Sequence, residues 1–385
     1  MRGSEMNKKR TGLRTWVEID TQAIKRNYNI FKKKAGENCK IMAVVKSNAY
    51  GHGLVGFSNA VEKAGADWLG VDSVVEALSL RKSGIKNPIL VLGYTLPERF
   101  DEAKKNNISI TISSSMVLRD FKKSYQIKQK LPNIHLKIDT GMHRQGFMVG
   151  EALVALKYIK EKFPKDILEG VYTHFASAKN PSFPGDTNKQ IEVFRKVLEH
   201  AQLLGYKPMA HASATSGALV FPHSLFDLIR IGIGMYGLWP SKEVGSVFKK
   251  NIKLGPVLSW RTIVSEVKSL PKGSKIGYDF TETLYKNSRI AVIPVGYWHG
   301  YPRSLSSIGH VLIKGRRARV LGRVSMDMVV VDVTGVKDVK AGDVVTLIGR
   351  DGREQITADE LADLAGTVNY EIVTRINPLI ERIYF

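Results

Sequence analysis

The chain has 385 residues, 43% of them hydrophobic and 24% charged, which suits two or three folded domains and excludes a disordered, collagen-like or coiled-coil chain. Its 58 Lys and Arg against 36 Asp and Glu give a formal net charge of +22. The basic clusters Lys8-Lys9-Arg10, Lys32-Lys33-Lys34, Lys104-Lys105, Lys122-Lys123, Lys249-Lys250 and Arg316-Arg317 are scattered rather than gathered into one stripe, which argues against a nucleic-acid surface.

The N-terminal M-R-G-S-E-M-N-K-K-R-T-G-L-R lacks the apolar run of a secretory signal, and the single cysteine, Cys39, cannot form an intrachain disulfide. Both point to a cytoplasmic protein. The five residues before Met6 are compatible with a cloning-derived lead. The longest stretch without Asp, Glu, Lys or Arg, Pro208 to Phe226, carries prolines, histidines and hydroxyls that hydrocarbon would not tolerate, so no membrane span is expected.

From residue 41 to about 240, short β-branched runs alternate with helical patterns. The strands are predicted at Ile41–Lys46, Trp68–Val71, Ile89–Leu92, Ile108–Ile112, Ile134–Ile138, Gly170–Thr173, Met209–Ala212 and Leu228–Ile231. Amphipathic stretches such as Glu98–Asn106, Ala152–Lys162 and Asn188–Leu203 lie between them. Eight such alternations predict an α/β fold, a (β/α)8 TIM-type barrel over residues 14–250. A doubly wound open sheet is the alternative, because a strand count cannot show closure. Beyond residue 250 the pattern turns to strands and turns: Val257–Val267, Arg289–Val295, His310–Ile313, Ala318–Val320, Met328–Val333 and Asp343–Ile348. This predicts a mostly-β domain over 251–385 whose one helix, Ile356–Ala365, opens on Thr357 as N-cap with Glu360 completing a capping box.

The sharpest chemical signal is A-V-V-K-S-N-A-Y-G-H-G, residues 43–53, at the end of the first barrel strand. A lysine closing a buried apolar strand has its stem in low dielectric, which lowers its pKa and favours the neutral amine that Schiff-base chemistry needs. Lys46 is therefore a candidate nucleophile; the alternative is a lysine merely leaving the barrel rim. Lys137, Asp139, His174 and Arg230 also close or nearly close strands, and barrel active sites form at that end. Each has a plainer reading: His174 as a core histidine, Arg230 as an ion-pair partner, Asp139-Thr140-Gly141 as a turn. Ser213–Gly217 and Ile231–Gly234, after the seventh and eighth strands, offer hydroxyls and unobstructed N–H groups to a phosphate. No metal set appears, because the histidines show neither H-E-x-x-H nor cysteine pairing, and G-x-S-x-G, Walker A and dinucleotide fingerprints are absent.

The blocks A-V-V-K-S-N-A-Y-G-H-G (43–53), L-K-I-D-T-G-M-H-R-Q-G-F (136–147), T-H-F-A-S (173–177), I-R-I-G-I-G-M-Y-G (229–237), G-Y-D-F (277–280), V-G-Y (295–297), G-R-V-S-M-D (322–327) and V-N-Y-E-I (368–372) resemble the alanine racemases, fold-type III pyridoxal-phosphate (PLP) enzymes. The resemblance implies a PLP-binding barrel, a C-terminal β domain joined by an N-terminal strand (residues 1–13), and a head-to-tail homodimer. It implies that Lys46 carries PLP, that Tyr50, Ser216, Gly232, Ile233 and Tyr370 hold the phosphate, that His174 packs beside the pyridine ring and that Arg230 bonds its nitrogen. Tyr278 would be the second catalytic base, reaching the site from the partner subunit. Arg144 and the backbone of Met326, the latter also across the interface, would position the substrate carboxylate. Lys137 resembles the family's carbamylated lysine (N6-carboxylysine) and would orient Arg144.

The implied activity is interconversion of L- and D-alanine, supplying D-alanine for peptidoglycan. Two bases suit it because racemisation removes the α-proton from one side of Cα and returns one to the other. An unperturbed tyrosine is a weak base at neutral pH, so nearby cations such as His174 and Arg144 would have to favour the phenolate. An arginine at 230 leaves the pyridine nitrogen unprotonated, which weakens the ring as an electron sink and separates this chain from the decarboxylases of the same fold type. The chain departs from the family pattern at Thr215, where asparagine is usual, at Ser325, where cysteine is frequent, and at Trp298-His299, which replace small and acidic residues after Tyr297. These departures leave a serine or broad-specificity racemase as the alternative activity. A noncatalytic, single-domain PLP-binding protein is a further alternative, disfavoured by the β domain and Tyr278.

Overall fold

The computed structural model describes residues 10–128 and 131–385. They fall into two compact units: one of Gln22–Ala49 and Leu54–Gly255, the other of the residues up to Thr21, Tyr50–Gly53 and Pro256–Phe385.

The chain enters through β1 (Thr15–Ile19), part of the second unit, and α1 (Thr21–Ala35). The first unit then alternates β2 (Lys40–Val44), α2 (Leu54–Ala64), β3 (Trp68–Val71), α3 (Val74–Lys82), β4 (Ile89–Val91), α4 (Phe100–Lys105), β5 (Ile108–Ile112), α5 (Ser115–Lys128), β6 (Ile134–Lys137), α6 (Val149–Lys162), β7 (Leu168–Tyr172), α7 (Gly185–Leu203), β8 (Met209–His211), α8 (Thr215–Val220), β9 (Leu228–Ile231) and α9 (Lys242–Phe248). All eight strands from β2 to β9 run parallel in one sheet, with β2 paired to β9 at the register Ile41↔Ile229. Between β8 and β9 the ring is joined by a parallel bridge, Ala214↔Arg230, and by backbone bonds from Asp227 N–H to Ala210 O (3.0 Å) and Arg230 N–H to Ser213 O (2.9 Å). The sheet therefore curls into a barrel, and the open-sheet alternative falls.

The strands are buried on nearly every residue, as parallel strands covered on both faces must be, so they read as Ile, Val and Leu runs. Met42, Trp68, Leu90 and Leu228 form an apolar layer of the core. The barrel also encloses polar side chains. His135, Tyr172, His211 and Arg230 are each at most 3% exposed. Gly170 makes room for them, since a Cβ there would lie 2.2 Å from the His135 ring.

The second unit contains β10 (Leu258–Ile263), β11 (Glu266–Leu270), β12 (Lys275–Ile276), β13 (Glu282–Thr283), β14 (Ser288–Ile293), β15 (His310–Ile313), β16 (Arg316–Leu321), β17 (Val329–Asp332), β18 (Val344–Asp351), β19 (Glu354–Ile356), α10 (Ala358–Ala365), α11 (Asn369–Thr374) and β20 (Glu381–Tyr384). Its main sheet has the order β11-β14-β17-β16-β15-β18-β10-β1-β20, with β1 antiparallel to β10 and parallel to β20. As expected, Thr357 caps α10 by accepting the Glu360 N–H at 3.0 Å.

Three details differ from the sequence reading. The N-terminal strand expected over 1–13 falls largely on residues 1–9, which, with the five residues before Met6, lie outside the described residues; residues 10–12 form a turn at Gly12 (φ +83°), and the first described strand is Thr15–Ile19. The single run Val257–Val267 is two strands, β10 and β11. The domain has a second helix, α11, whose six residues N-Y-E-I-V-T are too short and β-branched to announce a helix. Among the described residues no helix is long and apolar enough to cross a membrane, and no cluster of three His, Cys, Asp or Glu could hold a metal.

Candidate active site

In the barrel unit, Arg230 is the organising side chain. It sits on β9, 3% exposed, with Nη2 donating to the carbonyls of Thr173 and Ala212 (2.7 Å each) and lying 3.2 Å from His174 Nδ1. Its Nη1 donates to His211 Nδ1 at 2.9 Å, and the guanidinium lies over the Tyr172 ring at 5.2 Å. Nε and the second hydrogen of Nη1 have no acceptor among the described residues, so two N–H groups remain for a ligand. Burial lowers its pKa to about 10, which still leaves a full cation at neutral pH.

The donors of Arg230 also set the tautomers of its neighbours. His211, accepting on Nδ1, carries its proton on Nε2, which faces His135 Nδ1 at 2.8 Å; His135 Nε2 in turn lies 3.4 Å from Glu169 Oε2. An oriented pair of hydrogen-bonded histidines thus runs through the barrel toward a carboxylate. His174 is held to about pKa 3 by burial and then by the cations Arg230, Arg144, Lys137 and Lys46. It is therefore neutral at physiological pH. The expectation that His174 acts as a cation favouring a phenolate is overturned, because positive charge already crowds the site.

Lys137 ends β6, is 6% exposed and donates to Gln145 Oε1 at 3.0 Å. Its pKa is lowered to about 8, by burial first and then by Arg144, Arg230 and Lys46. Arg144 is exposed, and among the described residues no hydrogen bond joins it to unmodified Lys137. Asp139 follows the plainer of its two readings: its Oδ1 accepts the N–H groups of Gly141, Met142 and His143 at 2.9 to 3.0 Å and so closes the turn. Burial pushes its pKa up, but those N–H groups and His143 outweigh it and hold the carboxylate below its usual range.

Lys46 lies two residues past β2, not inside the strand. The dry seat expected for it is absent: the side chain is 39% exposed and its Nζ pairs with Asp72 Oδ1 at 3.1 Å. From Ser47 the backbone turns left-handed for four residues, with φ of 56°, 55°, 50° and 51° at Ser47, Asn48, Ala49 and Tyr50. Such residues cost about 1–2 kcal/mol each outside glycine, so the turn must be held by its surroundings. Ser216, nearly buried, opens α8, and Gly232-Ile233 follow β9. Thr215 supports that pair of loops, its Oγ1 accepting the Gly234 N–H at 3.3 Å.

In the β unit, Tyr50 stands against Tyr370 of α11 with ring centroids 6.1 Å apart. Gly51 makes this approach feasible: its φ is +82°, and a Cβ would lie 1.9 Å from Val373 O. Arg382 clamps the same glycine, donating to its carbonyl through Nε (3.1 Å) and Nη2 (3.0 Å). Burial raises Tyr50 to about pKa 12 and raises Tyr370 further, so both phenols remain hydrogen-bond donors at neutral pH. Tyr278 is 69% exposed between Gly277 and Asp279, both at positive φ. Met326 is exposed, and its carbonyl accepts the Trp298 N–H at 3.0 Å. His299, in place of an acidic residue, turns inward: its Nδ1 accepts the Gly296 N–H at 3.2 Å.

Sequence reasoning missed Asp72, Glu76, Gln145, Tyr172 and His211. Only Glu76 carried a readable signal, as the fourth residue of the capping box Ser73-Val74-Val75-Glu76.

Residues 19–240 match the family model "Alanine racemase, N-terminal domain", and residues 257–384 match "Alanine racemase, C-terminal domain". The alanine racemase of Methanococcus maripaludis is 40% identical over 371 residues, covering 96% of this chain and 98% of its own length. Among solved structures, an alanine racemase from Bacillus anthracis with bound L-Ala-P superposes with a TM-score of 0.90 at 36% identity, covering 97% of this chain and 95% of that one. The alanine racemase from D-cycloserine-producing Streptomyces lavendulae reaches 0.88 at 34%, covering 97% and 98%. Matches over both units rule out the single-domain alternative, and the chain belongs to the alanine racemase family.

Proposed function

We propose that this protein is a PLP-dependent, two-base alanine racemase that supplies D-alanine for peptidoglycan in the cytoplasm. The observation that carries the reading is the convergence of Lys46, Lys137, His174 and Arg230 into one electrostatic cluster at the ends of the barrel strands, in a chain similar to alanine racemases over 96–97% of its length.

The residues present fit PLP. Arg230 keeps N–H groups free for a ring nitrogen and cannot surrender a proton near neutral pH, Lys46 offers an amine, and Ser216, Gly232 and Ile233 offer a hydroxyl and N–H groups for a phosphate. In the β unit, Tyr50 and Tyr370, kept protonated by burial, offer phenol O–H donors to an anion. When bound, PLP supplies an aldehyde that captures an amine and a ring that draws electrons from the bond to the α-proton. This chain's residues then do the rest. In one direction Lys46 Nζ takes the α-proton from one face of Cα while the Tyr278 O–H delivers a proton to the opposite face, and in the reverse direction the resulting phenolate takes and the Lys46 ammonium gives. Arg144 and the Met326 backbone hold the substrate carboxylate. Neutral His174 offers a ring face beside the cofactor without adding charge.

We assign Tyr278 and Met326 to the partner's site in a head-to-tail homodimer. Tyr278, Phe280, Tyr285, Trp298, Met326 and Met328 are all more than half exposed in the β unit, which supports their burial against a second copy of the chain. Lys137, a lysine made unusually rich in neutral amine, is suited to carbamylation, which would place an anion near Arg144.

The test is α-deuterium incorporation in heavy water, followed by NMR, with each enantiomer of alanine and of serine and with added PLP. Exchange and equilibration from both alanine enantiomers is the expected result. No exchange overturns the reading, and faster exchange of serine moves the activity to a serine or broad-specificity racemase.

A further inference from the structure

We propose that Glu76 is a positioning residue for Lys46. It sits in the first turn of α3, where Ser73-Val74-Val75-Glu76 has the form of a capping box. Half of that box is present, because the Glu76 N–H donates to Ser73 Oγ at 3.3 Å. The returning half is diverted. Instead of folding back to the Ser73 N–H, the carboxylate reaches across to the segment after Lys46. Oε1 accepts the N–H groups of Ser47 (2.7 Å) and Asn48 (3.3 Å), and Oε2 accepts the Asp72 N–H (2.9 Å).

One carboxylate thereby joins the ends of two neighbouring barrel strands, and it does so where the backbone enters the left-handed turn. A chain leaving β2 into that conformation points successive N–H groups the same way, forming a concavity that an anion fills. Glu76 is that anion, built into the fold. The residues it holds flank the ion pair of interest: Ser47 follows Lys46 directly, and Asp72 is the residue whose Oδ1 receives Lys46 Nζ. Asn48 extends the clamp, its Oδ1 accepting the Leu54 N–H at 2.9 Å across the loop. Glu76 thus fixes both the origin of the Lys46 side chain and the backbone of its partner, without touching either reacting atom.

The inference rests on the reading of Lys46 as the cofactor amine. The test compares wild-type holoenzyme with Glu76→Ala and Glu76→Gln, the latter keeping one acceptor oxygen and the side-chain volume. Hydrogen exchange by mass spectrometry on the peptide spanning residues 45–49 should accelerate about 10- to 100-fold in Glu76→Ala, the loss expected for charge-assisted bonds, and less in Glu76→Gln. Peptides from β5 and β7 should not change. In parallel, kcat should fall in both variants with KM for alanine nearly constant, and borohydride fixation of PLP on Lys46 should slow. Unchanged exchange at 45–49, or a loss of protection spread equally over the barrel in the milder Glu76→Gln, overturns the proposal. Fixation of PLP on a residue other than Lys46 in the wild type would overturn the cofactor reading alone, since the exchange result does not depend on it.

Discussion

Lys46 Nζ and Asp72 Oδ1 lie 3.1 Å apart, with both side chains more than a third exposed. The pair therefore parks the amine at the barrel rim through an interaction worth only about 0–1 kcal/mol. An amine committed to Asp72 must release it before it can receive a carbonyl carbon. Replacing Asp72 by alanine should accordingly speed capture of PLP by apoenzyme by up to about fivefold, read by stopped-flow absorbance. A slower capture would show that Asp72 guides the amine instead of detaining it.

Tyr278 gives the sharpest mechanistic test. Tyr278→Phe keeps the ring and removes only the oxygen, so single-turnover removal of the α-proton should slow by about 100-fold or more from one enantiomer and far less from the other. Equal slowing would end its assignment as a base. Because Tyr278 is assigned to the partner's site, mixing Lys46→Ala chains with Tyr278→Phe chains should restore activity through hybrids with one intact site. A mixture as inactive as either parent would place both groups in one subunit's site.

Lys137 predicts a labile modification. With a pKa of about 8, roughly a quarter of its amine is neutral at pH 7.5, against about one part in a thousand for an ordinary lysine. Enzyme equilibrated with 13C-bicarbonate should show a protein carbamate resonance that vanishes in Lys137→Gln, with a raised KM for alanine as Arg144 loses its neighbouring anion. A resonance that persists in the variant would assign the carbamate elsewhere.

His174 predicts an acid limb in stability. Its folded pKa, about 3, lies below the ordinary value of 6.5, so unfolding takes up a proton between those limits. The stabilisation is complete above about pH 6.5 and is lost progressively as pH falls toward 3. His211, also held neutral by burial and by Arg230, acts in the same direction. Urea midpoints of the apoenzyme should thus decline from pH 7 to pH 5, less steeply in His174→Gln. An identical slope in the variant would remove His174 as a source.

Much of the barrel was legible because its parallel strands are buried on both faces and so appear as short, mostly apolar runs; Ile108–Ile112, Trp68–Val71 and Leu228–Ile231 match the observed strands residue for residue. The candidate site was legible in part, through polar residues interrupting such runs at their ends. Lys137 and Arg230 stand out in this way. Glu76, Asp72 and His211 do not, since a capping-box glutamate, an aspartate before a helix and a buried histidine all have local explanations.

What the chain's order of residues determined by itself was the alternation of elements, because hydrophobic period and strand-end polarity are local properties, and, through its eight motif blocks, the resemblance to the family. What only the tertiary structure decided was ionisation and shape at the site. His174 is neutral because the fold buries it and then brings Arg230, Arg144, Lys137 and Lys46 around it from separate strands and loops, and Tyr50 faces Tyr370 because Gly51 lets the backbone approach Val373. Those effects fall off within a few ångströms in space but join residues up to hundreds of positions apart in the chain, so no local pattern records them.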